Sequence, residues 1–215
     1  MKVHYDLIQQ TQDWFEIKWG KIGGSTSAGL FIKSDTLMLN LLAERTEQFQ
    51  LTDSFSSAAM DRGNELEPEA RQELELYTGL KFKECGWMQC EEIEILGISP
   101  DGITECETIH CEIKCPGAKK HIETCLADEI PLDHIAQLIH YFTVNPKCET
   151  VYFVSYRPES IKPLFVKTLG RFSDVNIGTK ARPVMISVDD AVKRAKIEAK
   201  AVMVQIEECI EKLSF

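Results

Sequence analysis

Three charged side chains near the middle of this chain are of the types that cut phosphodiesters. Asp101 stands in the run Ser99-Pro100-Asp101-Gly102, and Glu112 and Lys114 stand in the run Glu112-Ile113-Lys114. Side chains alternate across a strand, so Glu112 and Lys114 share a face while Ile113 turns away. If the chain reverses between Asp101 and Glu112, Asp101 arrives beside them. Two carboxylates at one point make an oxygen site that suits Mg²⁺ or Mn²⁺. The Glu112 or Ile113 backbone carbonyl could add a further oxygen ligand. A lysine beside the pair can orient a water and neutralise charge in the transition state. That set is equipped for metal-assisted hydrolysis of a phosphodiester, with two nearby ions bracketing the attacking and leaving oxygens.

The surroundings separate this group from ordinary surface charge. Ile93, Ile95 and Ile98 precede Asp101, Ile103 follows it, and Ile113 lies within the Glu/Lys pair. Charges embedded in apolar strands need partners, and a cation is one.

The elements that must position these residues read as α/β with a mixed central sheet. The opening segment to about residue 60 reads as helices around a Gly-rich turn at Gly20 to Ser25. A helix is expected over residues 61–78, with Leu66, Ala70, Leu74 and Tyr77 as its buried stripe and Gly79 as its stop. Strands are expected near residues 82–89, 93–98, 102–105, 109–115, 151–156 and 162–168. Pro131 opens a helix that closes before Asn145-Pro146. On it Leu132, Ile135, Ala136, Ile139 and Phe142 form one face. His134, Gln137 and Tyr141 form a polar row on another, which would look into a cleft if the apolar row packs on the sheet. A last helix over about 188–213 starts at Ser187, with Asp190 giving a capping-box-like signal. Its apolar stripe is Val192, Ala195, Ala199, Val202, Ile206, Cys209 and Leu213.

Composition sets the bounds. The 215 residues, 44% hydrophobic and 27% charged, fit one globular domain, 1–215, with its core over about 60–170. No apolar run of about 18 residues is present, so no membrane span is expected. The first residues lack an apolar signal core, and the expected compartment is the cytoplasm. A net charge of −10 argues against broad adhesion to nucleic acid, because binding neutralises phosphates with Lys and Arg. Binding is local, however, and acidic metal ligands count as negative until an ion arrives. The eight cysteines read as reduced thiols acting as small hydrophobes.

The order Pro-Asp, spacer, Glu-x-Lys resembles the PD-(D/E)XK nuclease superfamily. Further segments narrow the likeness. Arg62-Gly63-Asn64-Glu65-Leu66-Glu67-Pro68-Glu69-Ala70-Arg71, ending in Tyr77-Thr78-Gly79, is similar to the helix before the core of the YqaJ-like viral recombinase (phage lambda exonuclease) family. Trp14-Phe15-Glu16-Ile17-Lys18-Trp19-Gly20-Lys21-Ile22-Gly23-Gly24-Ser25 resembles its N-terminal element. His134-Ile135-Ala136-Gln137-Leu138 and Val151-Tyr152-Phe153-Val154-Ser155-Tyr156 resemble its Gln-bearing helix and following strand.

The resemblance implies a restriction-endonuclease-like core: a mixed central β-sheet flanked by helices. It implies a Mg²⁺-dependent exonuclease, tolerant of Mn²⁺, that degrades one strand of double-stranded DNA ends in the 5′-to-3′ direction. The 3′ overhangs would serve a single-strand-annealing protein partner, and the enzyme would be a toroidal homotrimer. The alternative for the same core motif is a structure-selective or restriction-like endonuclease. Glu67 becomes a further metal-approaching acid, with Glu65 as competitor; the two are about 200° apart on a helix and cannot share one role. Gln137 would hold the scissile phosphate or water. Lys18, Ser25 and Ser99 would receive a terminal 5′-phosphate, since a cation and hydroxyls near a Gly-rich turn can bond phosphate oxygens. Lys18 stands where the lambda relative has an arginine, and lysine lacks the bidentate fork.

Overall fold

The computed structural model describes residues 1–32, 34–49 and 58–214. In chain order the elements are β1 (Lys2–His4), α1 (Gln12–Lys18), a 3₁₀ turn (Ser27–Leu30), α2 (Thr36–Thr46), α3 (Ala58–Thr78), β2 (Trp87–Gln89), β3 (Gly97–Ile98), β4 (Gly102–Ile103) and β5 (Ile109–Lys114). Then come α4 (Ala118–Ala127), α5 (Leu132–Val144), β6 (Thr150–Tyr156), β7 (Leu164–Gly170), β8 (Asp174–Asn176), β9 (Met185–Ser187) and α6 (Val188–Leu213).

The site-bearing sheet has the order β4-β5-β6-β7. The β4–β5 and β6–β7 pairs are antiparallel and β5–β6 is parallel, so the sheet is mixed. A parallel pair needs a long crossover, and α4 and α5 supply it. A second sheet, β1-β2-β3, is antiparallel, and β8 and β9 form a hairpin.

Alternation on β5 divides the interior in two. Cys111 and Ile113 pack with Ala70 and Leu74 of α3, Phe82, Val154 and Tyr156. On the other face a larger cluster joins α5, α6, α2 and the β1-β2-β3 sheet, with Leu138, Ile139, Phe142, Phe153 and Ile206 among its members. The Ser187 hydroxyl caps α6 by accepting from the Asp190 N–H at 3.1 Å, as the capping signal predicts. On α3, Pro68 sits inside the helix. It has no N–H to offer the Asn64 carbonyl one turn back, which leaves that oxygen without its helical partner on the same turn as Glu67.

Several sequence expectations are corrected. The opening segment begins with a strand, β1, because Lys2 to His4 pair with Gln89 to Trp87; the part of that expectation covering residues 33 and 50–57 lies outside the described residues. The strands expected over 82–89 and 93–98 shrink to 87–89 and 97–98. Tyr77 is 67% exposed and Leu213 is 68% exposed, so neither joins the stripe assigned to it; both sit at helix ends that run past the core. The helix α4 and the hairpin β8–β9 are additions to the elements read from the sequence. Among the described residues no helix is long and apolar enough to cross a membrane.

Candidate active site

The β4–β5 register pairs Gly102 with Cys111 and Ile103 with His110. Continuing it by one residue sets Asp101 opposite Glu112. The Asp101 carboxylate takes up the end of the ladder: its Oδ2 accepts the Ile113 backbone N–H at 2.6 Å. Glu112 and Lys114 share a face of β5, and Lys114 Nζ lies 2.5 Å from Glu112 Oε1. Glu112 is 1% exposed, and its other oxygen accepts the Tyr141 hydroxyl at 2.6 Å. The reversal postulated from sequence is therefore the β4–β5 hairpin itself.

Glu67 enters from α3. It lines the same cleft of about 660 Å³ as Asp101, Ile113 and Lys114. Arg71, one turn on, donates to Glu67 at 3.0 Å and to Glu84 at 2.7 Å. Glu65 is exposed and outside the cleft lining. The helical offset thus puts Glu67, and not Glu65, on the cleft side of α3.

The acids crowd one another. Burial pushes the Asp101 carboxyl well above the ordinary range, and the nearby Glu112 and Glu67 charges push further, against Lys114 and the Ile113 N–H. Burial also raises Glu67; Arg71 opposes this, and the Glu112 charge adds to it. Burial alone would lower the Lys114 ammonium, but Glu112 and Asp101 outweigh it and hold the charge more firmly than usual.

A surplus of buried negative charge made of hard oxygens fits a divalent cation. Asp101, Glu112, Glu67 and the Ile113 carbonyl are the residues that could hold one. Among the described residues no three His, Cys, Asp or Glu side chains are already gathered at ligand spacing. A cation here would draw remaining ligands from backbone and water, as Mg²⁺ commonly does.

The other expected residues are distributed unevenly. Lys18 lines the cleft, its Nζ 3.3 Å from the centre of the Trp14 ring. Burial pushes its ammonium down to about 8. Ser25 is exposed and does not line the cleft. Ser99 donates its hydroxyl proton to the Gly86 carbonyl at 2.7 Å and accepts the Trp14 indole N–H at 2.8 Å. Its position supports Trp14, and through that ring Lys18, rather than a direct bond to phosphate.

The polar row on α5 splits three ways. His134 lines the cleft, its ring 5.2 Å from that of Phe153. Gln137 packs against Gly24, where a Cβ would meet its side chain at 3.1 Å, and it is not among the cleft-lining residues. Tyr141 is fully buried on Glu112. One helical face spans the Gly-rich turn, the cleft and the core, so a shared polar row does not mean a shared environment. Sequence reasoning missed Arg71 and Trp14 as supports of the site. The i,i+4 spacing of Glu67 and Arg71 was the available signal for the first; nothing short of the fold gives the second.

A profile of the YqaJ-like viral recombinase domain matches residues 13–148, more than half of the chain. Among solved structures, the chain is similar to an alkaline exonuclease (LHK-Exo) from Laribacter hongkongensis, with a TM-score of 0.79 and 28% identity over 95% of this chain and 96% of that one. It is similar to LHK-Exo in complex with dAMP, with a TM-score of 0.77 and 29% identity over 94% and 96%. A phage related exonuclease from Haemophilus somnus 129PT, 14% identical, shares the fold at a TM-score of 0.54 over 90% and 96%. No curated protein matches. The fold is restriction-endonuclease-like, as the resemblance implies. The chain belongs to the YqaJ-like viral recombinase family.

Proposed function

We propose that this protein is a Mg²⁺-dependent exonuclease that degrades one strand of linear double-stranded DNA from its 5′ end. The 3′ overhangs left behind would feed a single-strand-annealing partner. The reading includes Mn²⁺ as a substitute, two ions per site, a toroidal homotrimer and a cytoplasmic setting. The observation that carries it is the gathering of Asp101, Lys114 and Glu67 on one cleft, with Glu112 buried behind Lys114 at 2.5 Å. Family membership and the likeness to LHK-Exo support DNA as the substrate.

Each residue has a physical task. Lys114, held charged by the acids around it, can bond a phosphoryl oxygen and stabilise the charge that builds there. Asp101 and Glu112, fixed by the Ile113 N–H and the Tyr141 hydroxyl, present oxygens that need no reorganisation. Bound Mg²⁺ would supply Lewis-acid stabilisation of the scissile phosphate. Lys18 on the Trp14 ring offers a cation to a terminal phosphate, and Trp14, Phe15 and Phe153 give the cleft apolar walls that suit a base and exclude water. Lys18, Lys114 and Lys120 in the cleft concentrate positive charge locally in an acidic protein.

The test is digestion of linear duplex labelled at one 5′ end, with and without terminal phosphate, with and without Mg²⁺, beside a covalently closed circle. Mg²⁺-dependent release of the 5′ label as mononucleotide, faster from phosphorylated ends, with the circle untouched, is expected. Cutting of the closed circle would replace this reading with an endonuclease, and no nucleotide release in Mg²⁺ would remove the nuclease reading.

A further inference from the structure

Glu112 is a carboxylate enclosed almost completely, at 1% exposure. A buried carboxylate must find a partner for each oxygen. Oε1 faces the Lys114 ammonium at 2.5 Å, and it is Lys114, not Glu112, that lines the cleft. Oε2 faces inward, where the Tyr141 hydroxyl meets it at 2.6 Å. The same phenol oxygen is 3.2 Å from the Cys111 carbonyl. It has one proton to give, and the shorter, charge-assisted bond takes it.

The phenol cannot follow a carboxylate that turns. Tyr141 is fully buried on α5. Its ring lies against that of His110, with centroids 5.3 Å apart, and His110 is tied to Asn145 by a 2.8 Å hydrogen bond. Two elements therefore converge on one hydroxyl, and α5 clamps the strand that carries the acid.

We propose that Tyr141 is a positioning residue: its hydroxyl locks the inner oxygen of Glu112 so that the outer oxygen stays turned toward the cleft for a divalent cation. A glutamate has three rotatable bonds, and an unclamped carboxylate loses rotamer freedom each time it binds an ion. A clamped one has already lost it. A neutral phenol suits the task better than an arginine or a second lysine would, because it satisfies the oxygen without adding a cation that would repel the ion. The proposal rests on the reading of Glu112 as a cation ligand.

The test is Mn²⁺ binding to the DNA-free protein, followed by electron paramagnetic resonance, in the unsubstituted chain, Tyr141→Phe and Thr143→Val. Thr143 is a buried hydroxyl on the same helix, bonded to the Ile139 carbonyl at 3.0 Å, and serves as a control for general loosening of α5. Tyr141→Phe should bind Mn²⁺ about 10-fold to 100-fold more weakly, the usual range for losing an outer hydrogen bond to a metal ligand. The Mg²⁺ concentration for half-maximal turnover should rise in step, with KM for DNA ends unchanged. Thr143→Val should melt lower yet bind Mn²⁺ as the native protein does. Equal Mn²⁺ affinity in Tyr141→Phe and native protein overturns the proposal. A native protein that binds no Mn²⁺ overturns the cation reading itself, and this proposal with it. Should Tyr141→Phe not fold, proton NMR of the native protein gives the answer. The Tyr141 hydroxyl proton should exchange slowly and shift on adding Mg²⁺, and a resonance indifferent to Mg²⁺ overturns the clamp.

Discussion

The Asp101 side chain accepts the backbone N–H of Ile113 at 2.6 Å, so a carboxylate stands where the next strand residue's carbonyl would otherwise close the ladder. The side chain substitutes for main chain at the point where β4 begins. Asp101→Asn keeps an acceptor for that N–H and removes a buried acid whose charge is opposed by burial and by Glu112. The variant should fold with a melting temperature at or above the native value. Its turnover on linear duplex should fall by at least about 100-fold, more than the loss of an outer-sphere partner costs. Lys114→Ala should lose turnover on the order of 10²-fold to 10³-fold, the range for removing one charge-stabilising donor, while still retaining DNA in a gel-shift assay. Near-native single-turnover rates in either variant would remove these residues from the chemistry.

If Lys18 receives the terminal phosphate as proposed, the response to that phosphate should depend on pH. Burial lowers its ammonium from 10.5 to about 8. In the free enzyme the charge is present below that value and lost above it. Because kcat/KM reports ionisations of the free enzyme, the preference for phosphorylated over hydroxyl 5′ ends should fade as pH rises through about 8. Lys18→Arg should keep the preference across that range. The stability effect has the opposite slope. Between about 8 and 10.5 the unfolded chain holds the proton that the folded chain has released, so this residue's contribution to stability rises with pH there. A phosphate preference flat from pH 7 to 9.5 would deny Lys18 the receptor role.

Glu67 and Glu65 are told apart by substitution. Glu67→Gln should lower turnover by at least about 10-fold, whereas Glu65→Gln, at an exposed position, should leave it unchanged. Arg71→Leu removes the guanidinium that holds Glu67 at 3.0 Å and Glu84 at 2.7 Å. It should raise the proton affinity of Glu67 further and weaken activity about 10-fold. Steady-state kinetics on a single linear substrate measures all three.

Ser187→Ala removes the cap that accepts the Asp190 N–H at 3.1 Å. A loss of about 1 kcal/mol in urea unfolding is expected, with nuclease turnover unchanged, because α6 supplies no residue to the cleft. A larger loss of activity than of stability would tie this helix to the site.

Short-range patterns were legible in the sequence. The Glu-x-Lys alternation fixes which side chains share a face of β5, and Ser187 with Asp190 marks where α6 begins. The Asp101–Glu112 meeting was legible because one hairpin contains both. What failed depended on distant partners. Tyr77 and Leu213 fit an apolar period but lie beyond the surface that would cover them. Gln137 shares a helical row with His134, yet it packs beside Gly24 and does not line the cleft. Ser99 sits beside the catalytic-type acid, yet its hydroxyl serves Trp14 and Gly86. Periodicity reports a face; it does not report what lies opposite.

The brevity of β4 has an effect away from the chemistry. This strand is only Gly102–Ile103, and it forms one border of its sheet. Lys83 exchanges two backbone hydrogen bonds with Ile103, and Pro100 comes just before the turn into Asp101. An incoming chain looking for a strand to extend finds two residues already satisfied, then an imide ring and an acid. Borders built this way resist edge-to-edge polymerisation. The truncation that bends a carboxylate inward thus also guards the protein against sticking to its neighbours at the high local concentrations reached during overproduction.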